Sequence, residues 1–198
     1  MLLLLLSGAP VRAEEWAHQL RVPAMQQTML DLARRAMTQY LQRGTTLRTP
    51  TNLPPALRRR AAVLVTVEKR GQITPRGCRG TLQPSTASLA DEIIRNSIAA
   101  CARDRRVLPL RLTELPQCLI SLTVVLRVEP LQSITGHDAD NNGLIAQNGT
   151  RIGIVLPYEG RDAALQLKWA KRKAGLPDNA FVQLSELIAV RFRDSVRR

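Results

Sequence analysis

The sequence predicts an α+β domain with a mainly antiparallel sheet flanked by helices. Three observations carry this expectation. Alternating apolar residues mark strands, and turn residues join them as hairpins, first around Gly71 and again at Asn148-Gly149. Apolar residues at helical spacing mark three helices, opening near Pro23, Ser88 and Asp162. Helices and strands do not alternate regularly, so the parallel βαβ pattern is missing.

Residues 1–13 stand apart from the rest. Leu2 to Leu6 is apolar, and Val11-Arg12-Ala13 ends the segment on small residues of the kind a signal peptidase prefers. The run is too short to span a membrane, and no positive residue precedes it. It reads as an export leader whose start lies upstream, which implies an exported or periplasmic protein with a mature chain beginning near Glu14. The other reading is a frayed N-terminus on a cytoplasmic protein. Residues 14–24 form an N-terminal extension and residues 25–198 the domain.

Pro23 opens the first predicted helix, which runs through Gln42. Met29, Leu32, Ala33, Ala36, Met37, Tyr40 and Leu41 repeat at helical spacing, and Gly44 supplies the stop. Residues 45–60 form a Pro/Thr-rich connection ending in Arg58-Arg59-Arg60, a charge run expected on a solvated face. Ala61 to Glu68 reads as a strand with Val63, Val65 and Val67 on one face. Lys69 to Gln72 turns it back, and Ile73 onward is expected as its hairpin partner. Ser88 caps the second helix, Leu89 to about Arg103, whose inner stripe includes Cys101. From Cys118 to Glu129 the chain alternates cleanly, with Cys118, Ile120, Leu122, Val124, Leu126 and Val128 on one face. Cys101 and Cys118 are therefore expected in the core. Asn148-Gly149 predicts a type I′ turn between Leu144–Gln147 and Thr150–Leu156. Asp162 caps the third helix to Ala174, with Gly175 and Pro177 as stops and Lys168, Lys171, Arg172 and Lys173 on its outer face. Leu187 to Arg193 is a final strand.

The chain has 198 residues and a net charge of +13 from 29 basic and 16 acidic side chains. Lysine occurs only at Lys69, Lys168, Lys171 and Lys173, so arginine supplies most of the excess. That balance admits a weak, unspecific nucleic-acid binder. Spread over a solvated surface it needs no partner, and aromatics at 3% are too few for a base-stacking platform. The three cysteines form no C-x-x-C pair, and the two histidines are far apart in sequence, so no zinc site is expected. Their spacing does not define a disulfide. Asp138, Asp140, Asn142 and Gly143 mimic the start of a calcium loop, but the twelfth position is Gly149 where a bidentate glutamate is needed, which excludes an EF-hand.

One stretch gathers chemistry. Arg76-Gly77-Cys78-Arg79-Gly80-Thr81 places a cysteine between two arginines and two glycines. Positive charge favours the thiolate, the nucleophilic form. Glycines let a ligand approach the main chain, and arginine forks suit a carboxylate or phosphate. The plainer reading makes Cys78 a small core residue and lets the glycines shape a bulge.

Arg76 to Leu82 resembles the Arg-Gly-Cys-x-Gly signature of the AMMECR domain family. Four further stretches match in order: Leu30 to Arg35; Ala102-Arg103-Asp104 to Leu110; Gly143-Leu144-Ile145 with Gly153 to Pro157; and Lys173 to Pro177. Together they cover about residues 25 to 193. The chain departs from the family pattern at Arg79, Val107, Ser121 and Lys171. The resemblance implies a sheet flanked by helices with a smaller packed subdomain. Relatives occur beside Memo-type and radical-SAM proteins, which hints at redox or radical chemistry. On this resemblance Cys78 is the candidate catalytic thiol, and Arg76, Gly77, Arg79, Gly80 and Thr81 are the candidate ligand-binding residues for an unknown anionic ligand or partner protein. No metal and no cofactor is implied. A non-catalytic protein-interaction module is the alternative, and the nucleic-acid binder is a third.

Overall fold

The computed structural model describes residues 9–72 and 74–194. The apolar run Leu2–Leu6 and Ile73 lie outside the described residues. Helix α1 spans Ala9–Arg21, α2 Pro23–Arg43, α3 Pro55–Arg58, α4 Leu89–Ala102 and α5 Ala163–Lys173. The strands are β1 Val63–Lys69, β2 Gly77–Gly80, β3 Cys118–Leu131, β4 Gly143–Asn148, β5 Arg151–Val155 and β6 Gln183–Arg193. They form one antiparallel sheet in the order β2-β1-β3-β6-β4-β5. The predicted α+β class is the observed one. Among the described residues no helix is long and apolar enough to cross a membrane.

The chain divides into two compact units. Of the described residues, the larger comprises those up to 122 together with 192–194, and the smaller residues 123–191. In the larger unit α2 buries Met29, Leu30, Leu32, Ala33, Ala36 and Met37, the stripe that its sequence spacing predicts. Gly44 ends it in the left-handed region at φ 69°, with its N–H on Tyr40 O at 2.8 Å. Helix α1 was not evident from the sequence. It buries Trp16, Ala17 and Leu20, and the Trp16 indole donates to Ala56 O at 3.1 Å, tying it to α3. Ser88 caps α4 by accepting from Asp91 N at 3.1 Å.

The return strand of the first hairpin is shorter than Ile73 onward predicts, because regular pairing begins only at Gly77. Strand β3 runs as predicted, but its burial does not alternate over its first half. Cys118 and 120–125 are all buried, so both faces are covered there, and the chain emerges beyond Leu126.

The smaller unit packs α5 against the β4–β5 hairpin around Leu144, Ala146, Val155 and Ala170. Asn148 pairs with Arg151, so the two-residue turn is Gly149-Thr150, one position later than expected. Only Gly149 has positive φ, at 56°, which fits Gly at the first central position of a type II′ turn and not the two positive angles of type I′. Helix α5 is capped by Asp162 Oδ1, which accepts from Leu165 N at 2.7 Å. It ends in a Schellman arrangement: Leu176 N–H bonds Lys171 O and Gly175 N–H bonds Arg172 O. Within this unit His137 is buried between Glu186 and Gln166. Its Nδ1 lies 2.8 Å from Glu186 Oε1 and its Nε2 lies 2.9 Å from Gln166 Oε1. The Gln166 Nε2 group donates to Gly160 O at 2.7 Å and Ala139 O at 3.1 Å, which fixes the amide with its oxygen toward the imidazole.

Candidate functional site

Cys78 lies on β2, at one edge of the sheet. It pairs with Thr66 of β1, and the two side chains touch, with Thr66 Oγ1 3.3 Å from Cys78 Sγ. The backbone groups of Cys78 take their partners from outside the sheet. Its N–H donates to Asp104 Oδ2 at 2.9 Å, and its carbonyl accepts from Arg106 Nη2 at 3.1 Å. Asp104 and Arg106 follow α4 and stand where another strand would otherwise pair. They cover an edge whose free backbone groups would invite another chain.

Asp104 is the hub of this arrangement. Its side chain is 3% exposed, and it accepts from Cys78 N, from Arg106 N at 3.1 Å and from the Arg106 guanidinium at 2.9 and 2.7 Å. Those Arg106 bonds, against the cost of burial and helped by the Cys78 and Arg106 N–H groups, hold its carboxyl far below the usual range. Asp104 in turn keeps the Arg106 guanidinium above its ordinary value against desolvation, and the Cys78 side chain adds to that by charge and hydrogen bonding. The cation bonded to the Cys78 backbone is Arg106, whose side chain is 71% exposed.

The two arginines flanking Cys78 in sequence have other partners. Arg76 forms a forked pair with Glu114, at 3.2 and 3.1 Å, and donates to Leu108 O and Pro109 O. That pairing holds Glu114 below the usual carboxylate range. Arg79 donates to Arg103 O at 3.0 Å, at the C-terminal end of α4, where a cation is favoured. The glycines serve close packing. A Cβ on Gly77 would come 2.1 Å from Ala100 O of α4, and one on Gly80 would come 2.4 Å from Leu64 Cα and 2.7 Å from Val63 O. Neither has positive φ.

Thr81 donates to Glu92 Oε1 at 2.6 Å. Glu92 is fully buried on α4 and also accepts from Ser85 Oγ, Ser85 N, Thr86 Oγ1 and Asn96 Nδ2. Burial pushes its pKa up, but the hydroxyls of Thr81, Thr86 and Ser85 and the Ser85 N–H outweigh it and leave the group lowered.

All three cysteines are free, and Cys101 and Cys118 are buried as expected while Cys78 is only half-buried. Burial pushes the Cys101 thiol up to about 11 and raises that of Cys118 as well. No group of three or more metal-ligating side chains occurs among the described residues.

The structure thus gathers Cys78, Thr66, Asp104 and Arg106, and sends Arg76, Arg79 and Thr81 to other partners. Thr66, Asp104 and Arg106 were missed by sequence reasoning as site residues. The local half of their signal was visible: an aspartate two residues before an arginine, just past a helix end, bonds that arginine's N–H. The reach of 26 residues back to Cys78 was not.

Comparison with known proteins places the chain in a family. The AMMECR1 profile matches residues 30–196. The chain is 36% identical over 148 residues to a protein of Thermotoga maritima, covering 73% of this chain and 84% of that one. It is 32% identical over 171 residues to a protein of Thermofilum pendens, covering 77% of this chain and 80% of that one. The crystal structure of an uncharacterised protein from Pyrococcus horikoshii matches it with a TM-score of 0.78 and 25% identity, over 91% of this chain and 92% of that one. A profile spanning most of the chain, and relatives of this identity and coverage, show that the chain belongs to the AMMECR1 family.

Proposed function

We propose that the Arg76–Gly80 segment is a thiol-based site for an anionic ligand, with Cys78 as its nucleophile. The observation that carries this reading is exposure. Cys78 is the one thiol of three that is not buried, and it lies beside an exposed arginine that a deep carboxylate holds in place. Arg106 supplies the charge for both roles. It is bonded to the Cys78 backbone, and with Nε and Nη2 held by Asp104 and Cys78 O its Nη1 is left for a phosphate or carboxylate. Arg76 and Thr81 act one step back, Arg76 by fixing Glu114 and the 108–109 backbone, and Thr81 by fixing Glu92.

Alkylation tests this. Cys78 is expected to react with iodoacetamide faster than free cysteine at neutral pH. Arg106→Met, which removes the charge at similar volume, is expected to slow it, and inorganic phosphate to protect it. An inert Cys78 that ignores phosphate would defeat the reading.

One observation favours a second reading, a non-catalytic interaction module. Leu108, whose carbonyl Arg76 holds, is 81% exposed, a large apolar side chain presented on a braced loop. On that reading Leu108→Asp abolishes capture of a partner protein and leaves Cys78 alkylation unchanged.

A further inference from the structure

The smaller unit holds a buried polar pair whose hydrogens can be assigned one by one. The side chain of His137 is fully buried, and that of Glu186 is 14% exposed. Gln166 is fully buried too, and its Nε2 hydrogens go to Gly160 O at 2.7 Å and Ala139 O at 3.1 Å. The atom that meets the imidazole is therefore Gln166 Oε1, and an amide oxygen only accepts. His137 Nε2, 2.9 Å away, must donate to it. A neutral imidazole carries one N–H, and this bond uses it. Nδ1 is left with a lone pair, 2.8 Å from Glu186 Oε1. That oxygen already accepts from Asp138 N at 3.0 Å. Two lone pairs at such a distance repel unless a proton lies between them.

That proton is a second one, in addition to the proton on Nε2. Nearer the nitrogen it makes an imidazolium and a carboxylate. Nearer the oxygen it makes a neutral imidazole and a carboxylic acid. In both placements the pair is neutral with the proton and carries one negative charge without it. The elements packed around the ring do not supply a cation to offset that charge. On α5 the group that meets the ring is the Gln166 amide, while Lys168 and Lys171 turn to Asp178, Lys173 turns to Glu159 and Arg172 is exposed. Asp162 caps that helix, and Arg191 of β6 donates to Pro157 O. Strand β4 carries no ionisable side chain. Asp138, beside the ring in sequence, has its carboxylate bonded to Asn141 and adds charge of the same sign. A buried charge without a partner is costly.

We propose that His137 and Glu186 form a proton-held latch on residues 137–142, closed while the pair keeps the second proton and released when that proton is lost as pH rises. The latch joins three parts of the smaller unit. Through the ring it ties the segment to α5. Through Glu186 Oε1, which serves both His137 and the Asp138 N–H, it ties the segment to β6. Gln166 completes it by holding Ala139 O and Asn142 O of the same segment. Loss of the proton sets Nδ1 and Oε1 against each other and leaves a buried negative charge. Opening the segment relieves both, because water then solvates the ring and the carboxylate. In water a histidine keeps its second proton only below about pH 6.5. Above that range the closed state binds one proton that the open state does not, so each rise in pH favours opening. The segment leads directly into β4, so its release frees the entry to that strand.

The test uses the full chain, labelled with nitrogen-15 for NMR. At mildly alkaline pH the His137 ring is expected to show two slowly exchanging protons, one on Nε2 and one in the bond between Nδ1 and Glu186. Hydrogen exchange at the Asp138 and Asn142 amides, both bonded in the closed segment, reads its opening once the intrinsic rate is divided out. The opening constant should rise about tenfold per pH unit above neutrality, the signature of one proton released per opening. Glu186→Gln replaces the shared proton with a permanent N–H donor to a neutral ring and leaves an oxygen for the Asp138 N–H. In that variant the pH dependence is expected to vanish. A single ring proton in the parent, an opening constant indifferent to pH, or a pH dependence that survives Glu186→Gln overturns the inference. So does a pH effect spread evenly over residues 123–191. If Glu186→Gln does not fold, the ring protons and the exchange of the parent decide alone.

Discussion

Single residues in the signature divide into those that hold the site and those that present it, and substitution separates them. Gly77 holds it. The space beside its Cα is filled by the Ala100 carbonyl, 2.1 Å from where a Cβ would stand. Backbone on a helix cannot yield as a flexible side chain does, so Gly77→Ala is expected to destabilise the protein by about 1–3 kcal/mol, the usual cost of overpacking. Urea unfolding measures it, and an unchanged midpoint would show that β2 does not pack on α4 as described. Asp104 both holds and presents. Its pKa is depressed in the folded state, so its contribution is fully present above the unfolded value of about 3.9 and is lost as pH falls below that toward the folded value. Asp104→Asn removes the charge that steadies Arg106. The variant is expected to be less stable at pH 7 and to show a flatter loss of stability between about pH 4 and 2 than the parent. Parallel acid titrations of the two proteins, followed by circular dichroism, would count against this assignment if their curves ran parallel. The residue scale is also where the sequence was least legible. Arg76 and Arg79 are adjacent to Cys78 in the chain, yet a short strand sends successive side chains to opposite faces. Arg79 goes to the α4 end and Arg76 to Glu114, while the guanidinium bonded to Cys78 O comes from 28 residues away.

Elements follow the sequence more closely, because their signals are local. Helices α2, α4 and α5 begin and end within a residue or two of their caps and stops, since Pro23, Ser88, Asp162, Gly44 and Gly175 act through their own backbone neighbours. Helix α1 was missed because its first residues read as the end of the apolar leader and its Trp16 finds its partner some 40 positions on, at Ala56. The β4–β5 turn was displaced by one residue: Asn-Gly fits a type I′ turn by composition, but pairing of Asn148 with Arg151 makes Asn148 the last strand residue. Strand β3 looked amphipathic, and its second face is covered all the same, which alternation alone does not disclose. Within the smaller unit the connection between α5 and the 137–142 segment rests on one amide. Gln166 serves three backbone carbonyls and the His137 ring from a fully buried position. Gln166→Leu keeps similar volume and strands all of them. A loss of about 3 kcal/mol is expected, in the range for several buried polar groups left unmade. Hydrogen exchange should place the loss in residues 123–191, and protection lost evenly over the whole chain would argue against so local a role.

At the scale of the whole molecule, the fold class was legible from hairpins and helices without βαβ alternation, and the family from five short stretches in order. The meaning of the charge was not, because composition counts arginines without saying what they hold. The chain carries +13, and several of its guanidinium groups are bonded to its own backbone and carboxylates. Arg34 pairs with Asp194 and donates to Leu115 O and Cys118 O. Arg76 and Arg79 serve the site's frame, Arg151 donates to Gly175 O, and Arg191 donates to Pro157 O. A guanidinium fixed in this way keeps its charge but offers less of its fork for reading base edges, which needs free, bidentate donors. Charge alone attracts phosphate and releases counterions, a contribution blind to sequence and steeply weakened by salt. Binding of duplex DNA or single-stranded RNA is therefore expected to be weak. Its affinity should fall linearly with salt on logarithmic axes and should not differ among sequences of equal length. Fluorescence anisotropy with several labelled oligonucleotides, from low salt to physiological salt, measures all three. A sequence-specific complex that survives physiological salt would show that the free arginines form a built interface, and would make nucleic acid the partner in place of the small anion proposed at Cys78.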